Sequence, residues 1–178
     1  FISTREGNIA VTVKDLRSGM EIKINADMEF PSASIIKLSI MSELFNKIND
    51  DIYKLDDEIE INEEMKTGGD GILKELNCGH RFTLKEICTL MIILSDNTAT
   101  NILINLLGMD NINSAAERLG MKKTKIQRKM MDLQAAKEGR NNFTTSDDFS
   151  HILELMYKGE NVNEAYSGVM LDILKRQQ

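Results

Sequence analysis

The sequence predicts an α+β fold, in which a mostly helical domain carries an antiparallel β-hairpin near its N-terminus. Three observations support this fold class: apolar residues alternate over residues 9–26, two later stretches are apolar in the manner of buried helices, and single glycines stand where helices should end. The chain has 178 residues, of which 42 % are apolar and 28 % charged. These values are ordinary for a folded protein with a core of its own, so we expect residues 1–178 to form one domain.

The hairpin is predicted from two short alternating segments. Ile9, Val11 and Val13 alternate with smaller or polar residues, and Ile22 and Ile24 do the same farther along. Arg17-Ser18-Gly19 lies between the two segments and supplies turn-forming residues. We expect the apolar face of this hairpin to pack on the helices.

The helices follow from apolar periodicity and from their end signals. After Pro31, apolar residues cover nearly every face of a helix over residues 34–48, which indicates a buried central helix. A second buried helix over 83–94 begins with a capping box formed by Thr83 and Glu86. Four more helices are predicted over 98–107, 111–119, 147–158 and 163–176. A glycine follows each of the first three, where a C-terminal cap belongs, and the fourth lies near the end of the chain. Two irregular stretches remain, 62–82 and 122–145, and loops of this length are usually functional.

Composition and charge exclude several kinds of protein. The net charge is −6, and the only basic cluster is a short run at 122–129, so no nucleic-acid partner is expected. No apolar stretch is long enough to span a bilayer, and Phe1–Arg5 lacks the pattern of a signal peptide. Cys78 and Cys88 do not have the spacing of a metal site, so we expect no metal; two free thiols are favoured over a mutual disulfide.

The first chemical motif is Ser34-Ile35-Ile36-Lys37, which has the form S-x-x-K. On a helix, positions i and i+3 lie on one face, so the hydroxyl and the amine can meet. A serine needs a base beside it to act as a nucleophile, and a buried lysine with a lowered pKa can be that base. Such a tetrad occurs about once by chance in a chain of this length, and the alternative is a serine cap with a surface lysine.

The second motif is Ser95-Asp96-Asn97, which ends the second buried helix. A tripeptide of this kind is expected by chance in only a few per cent of such chains. The alternative is a helix–helix corner, since all three residue types favour caps and turns. Both motifs, in this order and each next to a buried helix, make a specific combination.

This combination resembles the signature of class A β-lactamases and related penicillin-binding serine transferases, which consists of S-x-x-K, S-D-N and K-T-G. The segments 30–37 and 91–101 are similar to the two corresponding segments of that family, and the resemblance covers nearly the whole chain. It implies that Ser34 is the acylated nucleophile, Lys37 its general base or proton relay, and Ser95 the hydroxyl that protonates the leaving nitrogen. It also implies that Asn97 binds the substrate amide and Lys37.

The chain departs from this family pattern in the loop 122–145. Where the family has Arg-x-Glu, with the Glu activating the water of deacylation, this sequence has Arg128-Lys129-Met130. Asp132 is the nearest carboxylate, and Gln134 stands where the family has an Asn. The resemblance therefore implies acylation and leaves deacylation open, with Asp132 and Gln134 as candidate residues of the deacylation loop.

A second departure is that no K-T-G motif follows Ser95, and Lys66-Thr67-Gly68 is interpreted as a coincidence because it precedes the second motif. The resemblance implies that the third motif and the remaining strands lie beyond the last predicted helix. We therefore expect an incomplete antiparallel sheet, a chain truncated before its C-terminal strands, weak activity, and a possible homodimer through the open strand edge.

The resemblance implies a serine β-lactamase that acts through an acyl-Ser34 intermediate. The alternatives are a penicillin-binding protein or sensor that deacylates slowly, or a D-Ala-D-Ala peptidase. The expected ligand is a β-lactam or a peptidoglycan peptide, no cofactor is needed, and the expected location is extracellular, periplasmic or on the cell surface.

Some members of the family have a disulfide from the position of Cys88, but Met41 stands where its partner would lie.

Overall fold

The computed structural model describes residues 6–177, so Phe1–Arg5 and Gln178 lie outside it. The predicted fold class is confirmed, because the described chain is an α+β domain made mostly of helices. The helices are α1 Lys37–Asn49, α2 Leu84–Ile93, α3 Asn97–Leu107, α4 Met109–Arg118, α5 Leu133–Lys137, α6 Ser146–Lys158 and α7 Glu164–Leu174. None of the helices within residues 6–177 is long and apolar enough to cross a membrane.

The strands form three separate antiparallel pairs. The predicted hairpin is present as β1 Val11–Lys14 and β2 Glu21–Ile24, with Val11 opposite Ile24. Two shorter pairs join distant parts of the chain: β3 Phe30–Pro31 with β6 Phe143–Thr144, and β4 Glu58–Glu60 with β5 Arg81–Thr83. Segments of two or three residues are too short to show an alternating pattern, so the sequence did not predict these two pairs.

Helix α1 occupies the centre of the domain, as its apolar composition predicted. It packs against α2, α3 and α4, while α6 and α7 form a second pair that contacts α2. Met41, Leu44 and Phe45 of α1 are completely buried. This burial holds the segment that leads into α1 in a fixed place, and that segment contains Ser34.

The hairpin packs on the helices through the face opposite to the one predicted. The Lys14 ammonium lies 2.6 Å from Glu21 Oε1 and 2.6 Å from Glu154 Oε2 of α6, and Lys23 pairs with Asp147 of the same helix. Val13 and Ile22, which face each other across the ladder, are 53 % and 54 % exposed. The expectation of apolar packing was wrong because ion pairs, rather than apolar side chains, join the hairpin to α6.

The two irregular stretches contain more local structure than their sequences indicated. Residues 62–82 include 3₁₀ turns at Glu63–Met65 and Leu73–Glu75, and residues 122–145 include the five-residue helix α5.

The capping box of Thr83 and Glu86 at the start of α2 is confirmed. Both cysteines are free, with Cys78 exposed and Cys88 buried in α2, which confirms the expectation of two thiols.

Candidate active site

Ser34 lies in a 3₁₀ turn, Ala33–Ile36, that leads directly into α1. Positions i and i+3 are eclipsed in such a turn, so Ser34 and Lys37 point to the same side even more closely than on an α-helix. Ala33, immediately before Ser34, has a φ of 45°, a left-handed conformation that is costly for a residue with a side chain. Strained backbone of this kind is concentrated at functional sites, and here it directly precedes the exposed Ser34.

Three side chains of the two motifs form a continuous chain of hydrogen bonds. Ser34 Oγ lies 2.7 Å from Ser95 Oγ, and Lys37 Nζ lies 2.8 Å from the same Ser95 Oγ. Lys37 Nζ also donates to the Ser95 carbonyl oxygen at 2.5 Å. The Ser95 hydroxyl therefore connects the Ser34 hydroxyl to the Lys37 amine, and a proton can pass along this path in either direction.

Lys37 is only 2 % exposed, although it carries a titratable amine. Burial disfavours the charged ammonium and lowers the pKa of Lys37 from its ordinary value of 10.5 to about 8, while the charges of Asp70 and Asp96 act in the opposite direction. At this pKa roughly one molecule in ten has a neutral amine at pH 7. Lys37 can therefore accept a proton at physiological pH, as a lysine with an ordinary pKa cannot.

The corner between α2 and α3 holds the second motif. Ser95 has a φ of 53°, and Asp96 caps α3 by accepting the backbone N–H of Ala99 at 2.9 Å. The other oxygen of the buried Asp96 carboxylate accepts the N–H groups of Ile72 and Leu73 at 2.7 and 2.9 Å. The motif is thus both a helix–helix corner and part of the site, and Asp96 fixes the corner to a neighbouring loop.

That neighbouring loop, residues 66–73, forms one wall of the site. The Asn97 side chain accepts from Lys37 Nζ at 3.4 Å through Oδ1 and donates to the Gly68 carbonyl at 3.1 Å through Nδ2. The Asn97 backbone N–H donates to the Asp70 carbonyl at 3.0 Å. The Lys66 ammonium pairs with Glu63, so Lys66-Thr67-Gly68 contributes backbone to the site rather than a cation.

Asn101 links two loops beside the site, and the sequence analysis assigned it no role. Its side chain accepts the Met130 N–H at 2.8 Å, donates to the Met130 carbonyl at 3.1 Å, and donates to Thr67 Oγ at 3.1 Å. It therefore joins the loop 66–73 to the loop 122–145. The sequence could have indicated this residue by its position four residues after Asn97, because residues i and i+4 lie on one face of a helix.

The two candidate deacylation residues have other partners. The Asp132 carboxylate caps α5 by accepting the Ala135 N–H at 2.9 Å, and the exposed Gln134 donates to Glu138 at 2.8 Å. Within residues 6–177 neither side chain forms a hydrogen bond with the residues of the two motifs. The structure thus brings Ser34, Lys37, Ser95 and Asn97 together and leaves Asp132 and Gln134 in a separate set of contacts.

A groove of about 430 Å³ opens beside the hydroxyl pair. Ser34, Lys37 and Ser95 form its polar end, and apolar side chains of α1, α2, α6 and α7 form most of the remaining lining. Lys175 and Gln177, which follow α7, also line the groove. Among the described residues, no three side chains of His, Cys, Asp or Glu are grouped in a way that could hold a metal ion. The polar end therefore presents two hydroxyl groups and the Lys37 amine to a ligand lying in the groove.

Comparisons with known proteins agree with this geometry. A model of the beta-lactamase enzyme family matches residues 1–178. Beta-lactamase AER-1 of Aeromonas hydrophila is 25 % identical over 145 residues, which are 81 % of this chain and 48 % of that protein. The chain thus spans about half the length of the curated relatives that it matches.

Two solved structures are similar over nearly all of the chain. The beta-lactamase from Sphaerobacter thermophilus DSM 20745 superposes with a TM-score of 0.90 and 30 % identity, covering 95 % of this chain and 64 % of that one. PBP-A superposes with a TM-score of 0.85 and 25 % identity, covering 94 % and 62 %. A mutant of PBP-A with the same degree of similarity is described as an acyl-enzyme complex with penicillin G.

Proposed function

Because this chain belongs to the beta-lactamase enzyme family, we propose that it opens β-lactam rings through an acyl intermediate on Ser34. The observation that carries the proposal is the hydrogen-bonded path from Ser34 Oγ through Ser95 Oγ to Lys37 Nζ, with steps of 2.7 and 2.8 Å. The lowered pKa of Lys37 supports it, since a neutral amine at the end of this path can accept the serine proton.

In the proposed reaction, Ser34 Oγ attacks the carbonyl carbon of the lactam. Its proton passes to Ser95 Oγ, whose own proton passes to the neutral amine of Lys37. The carbonyl oxygen of the substrate becomes an oxyanion, to which the Ser34 backbone N–H can donate a hydrogen bond. The C–N bond then breaks, the leaving nitrogen takes the proton of Ser95, and Lys37 returns a proton to Ser95. The product is an ester between Ser34 and the opened ring.

A second candidate function is that of a penicillin-binding protein, which is acylated and deacylates slowly. A D-Ala-D-Ala peptidase, which uses the same nucleophile, is the other alternative. Hydrolysis of the ester needs a base that activates a water molecule. In the family, this base is a Glu in the loop that corresponds to residues 122–145. Met130 cannot accept a proton, and the Asp132 carboxylate already accepts the Ala135 N–H at 2.9 Å. We infer from these contacts that deacylation is slow relative to acylation, which favours this second candidate over rapid turnover.

The test is the mass of the intact protein after mixing with penicillin G, followed over time. We expect one adduct of the mass of penicillin G, which peptide mapping assigns to Ser34 and which a Ser34→Ala variant does not form. The lifetime of the adduct separates the two candidates, since a turnover enzyme loses it rapidly and a penicillin-binding protein keeps it. An adduct on Ser95, or none after long incubation, would contradict the proposal.

Peptidoglycan peptides and β-lactams are encountered outside the cytoplasm. We therefore propose an extracellular, periplasmic or cell-surface location for this activity. No metal or organic cofactor takes part in the proposed steps, because serine acyl transfer is completed by the protein's own groups.

A further inference from the structure

We propose that Gly69 is a positioning residue, whose missing side chain leaves the space that the Asn97 amide needs to reach Lys37. The inference rests on the proposed function for the role of Asn97, but it concerns a contact that can be measured without any substrate. Gly69 belongs to the wall loop 66–73 and contributes no side chain to the chemistry.

The observation is a steric one. A Cβ atom added to Gly69 would lie 2.5 Å from Asn97 Nδ2 and 3.2 Å from Met131 Sδ, and real Cβ atoms essentially never come closer than 3.0 Å to such a neighbour. Gly69 also has a φ of 83°, which residues with side chains rarely adopt. The Asn97 amide therefore lies against bare backbone, on the face of Gly69 where any other residue would place its Cβ.

Asn97 is buried and is held by hydrogen bonds of its backbone and of its side chain. Its backbone N–H is bound to the Asp70 carbonyl at 3.0 Å, and the residue is only 4 % exposed. Its amide lies between the Gly68 carbonyl at 3.1 Å and Lys37 Nζ at 3.4 Å. We therefore expect a methyl group on Gly69 to displace the Asn97 amide and to lengthen or break one or both of these hydrogen bonds.

The chain contains a matched control for this substitution. Gly79 has a φ of 89°, close to that of Gly69, but nothing lies within 4 Å of an added Cβ. Gly69→Ala and Gly79→Ala thus carry the same kind of backbone strain, and only the first collides with Asn97. Gly71 is not suitable, because its Cβ would meet the Asp96 backbone, which holds the corner itself.

The substrate-free experiment is an NMR titration of Lys37 in protein labelled with ¹³C at lysine, with Lys37→Arg used to assign the signal. Loss of the Asn97 acceptor removes a partner of the protonated amine, so we expect the pKa of Lys37 to be lower in Gly69→Ala than in the wild type. We expect no change in Gly79→Ala. Equal Lys37 titration curves in Gly69→Ala and the wild type would overturn the inference, whether or not the protein reacts with penicillins.

The matching kinetic experiment measures acylation by penicillin G in the same variants. We expect the rate on the high-pH plateau, where Lys37 is neutral in every variant, to be about tenfold lower in Gly69→Ala, the effect of one or two lost hydrogen bonds, and within about twofold of the wild type in Gly79→Ala. The midpoint of its pH profile should move to lower pH only in Gly69→Ala. A wild type that is not acylated at all would reject the proposed function and leave the NMR result to decide the role of Gly69.

A double variant keeps the inference testable if Gly69→Ala is poorly folded. In an Asn97→Ala background the amide is gone, and the nearest remaining neighbour of the added methyl is the Met131 side chain at 3.2 Å. Adding Gly69→Ala to this background should therefore lower the melting temperature by less than adding it to the wild type does. Recovery of folding in the double variant would support the proposed collision. Equal loss of folding with and without the Asn97 side chain would show that Gly69 serves another purpose, and would overturn the inference.

Discussion

The acylation rate should depend on pH through the protonation of Lys37, and the structure specifies both the direction and the range. A protonated lysine cannot take the serine proton, so the rate should follow the neutral fraction of Lys37. With a pKa of about 8, this fraction is about 1 % at pH 6, about 9 % at pH 7 and about 50 % at pH 8. The rate should therefore rise about fiftyfold from pH 6 to pH 8 and less than about twofold from pH 8 to pH 9.

The assay is a stopped-flow measurement of the reaction with a chromogenic cephalosporin under single-turnover conditions, from pH 6 to pH 9. A lysine with the ordinary pKa of 10.5 would give a rate that still rises about tenfold per pH unit at pH 9, so the plateau is the diagnostic feature. Lys37→Arg is the control, because a guanidinium stays protonated over this range and should remove the reaction. A rate that is independent of pH between 6 and 8, or that persists in Lys37→Arg, would refute the role of Lys37.

Three further predictions concern the loops and the thiols. Met130→Glu should shorten the lifetime of the acyl adduct by supplying a base for water, whereas Asp132→Asn should leave the lifetime unchanged; an adduct lifetime prolonged by Asp132→Asn would instead make Asp132 the base in use. Asn101→Ala should lower the free energy of unfolding by about 1–3 kcal/mol, because the N–H and carbonyl of the half-buried Met130 lose their partners; denaturant unfolding measures this, and an unchanged midpoint would contradict it. Thiol titration should count one reactive cysteine in the folded protein, the exposed Cys78, and two after denaturation; a count of zero would indicate a disulfide.

Much of the local structure could be predicted from the sequence, because it depends on contacts between near neighbours. The apolar pattern located α1 and α2, the capping box of Thr83 and Glu86 located the start of α2, and the spacing of Ser34 and Lys37 placed both on one side of a turn. The short pairs β3–β6 and β4–β5 could not be predicted, since their two or three residues show no period. The packing face of the hairpin was predicted wrongly, because the alternation distinguishes two faces but does not specify which one meets α6, and the face with Lys14 and Lys23 does so.

By itself, therefore, the sequence determined which residues we propose to carry the chemistry, and only the tertiary structure decided how they meet. The 2.7 Å contact between Ser34 and Ser95 joins positions 61 residues apart, and it exists because α1 packs against α2 and α3. The same packing buries Lys37 and so lowers its pKa. It also presses the Asn97 amide against the bare backbone of Gly69. Residue types and spacing specify interactions within one turn of chain, whereas burial, pKa and contacts across the domain depend on which elements the core brings together.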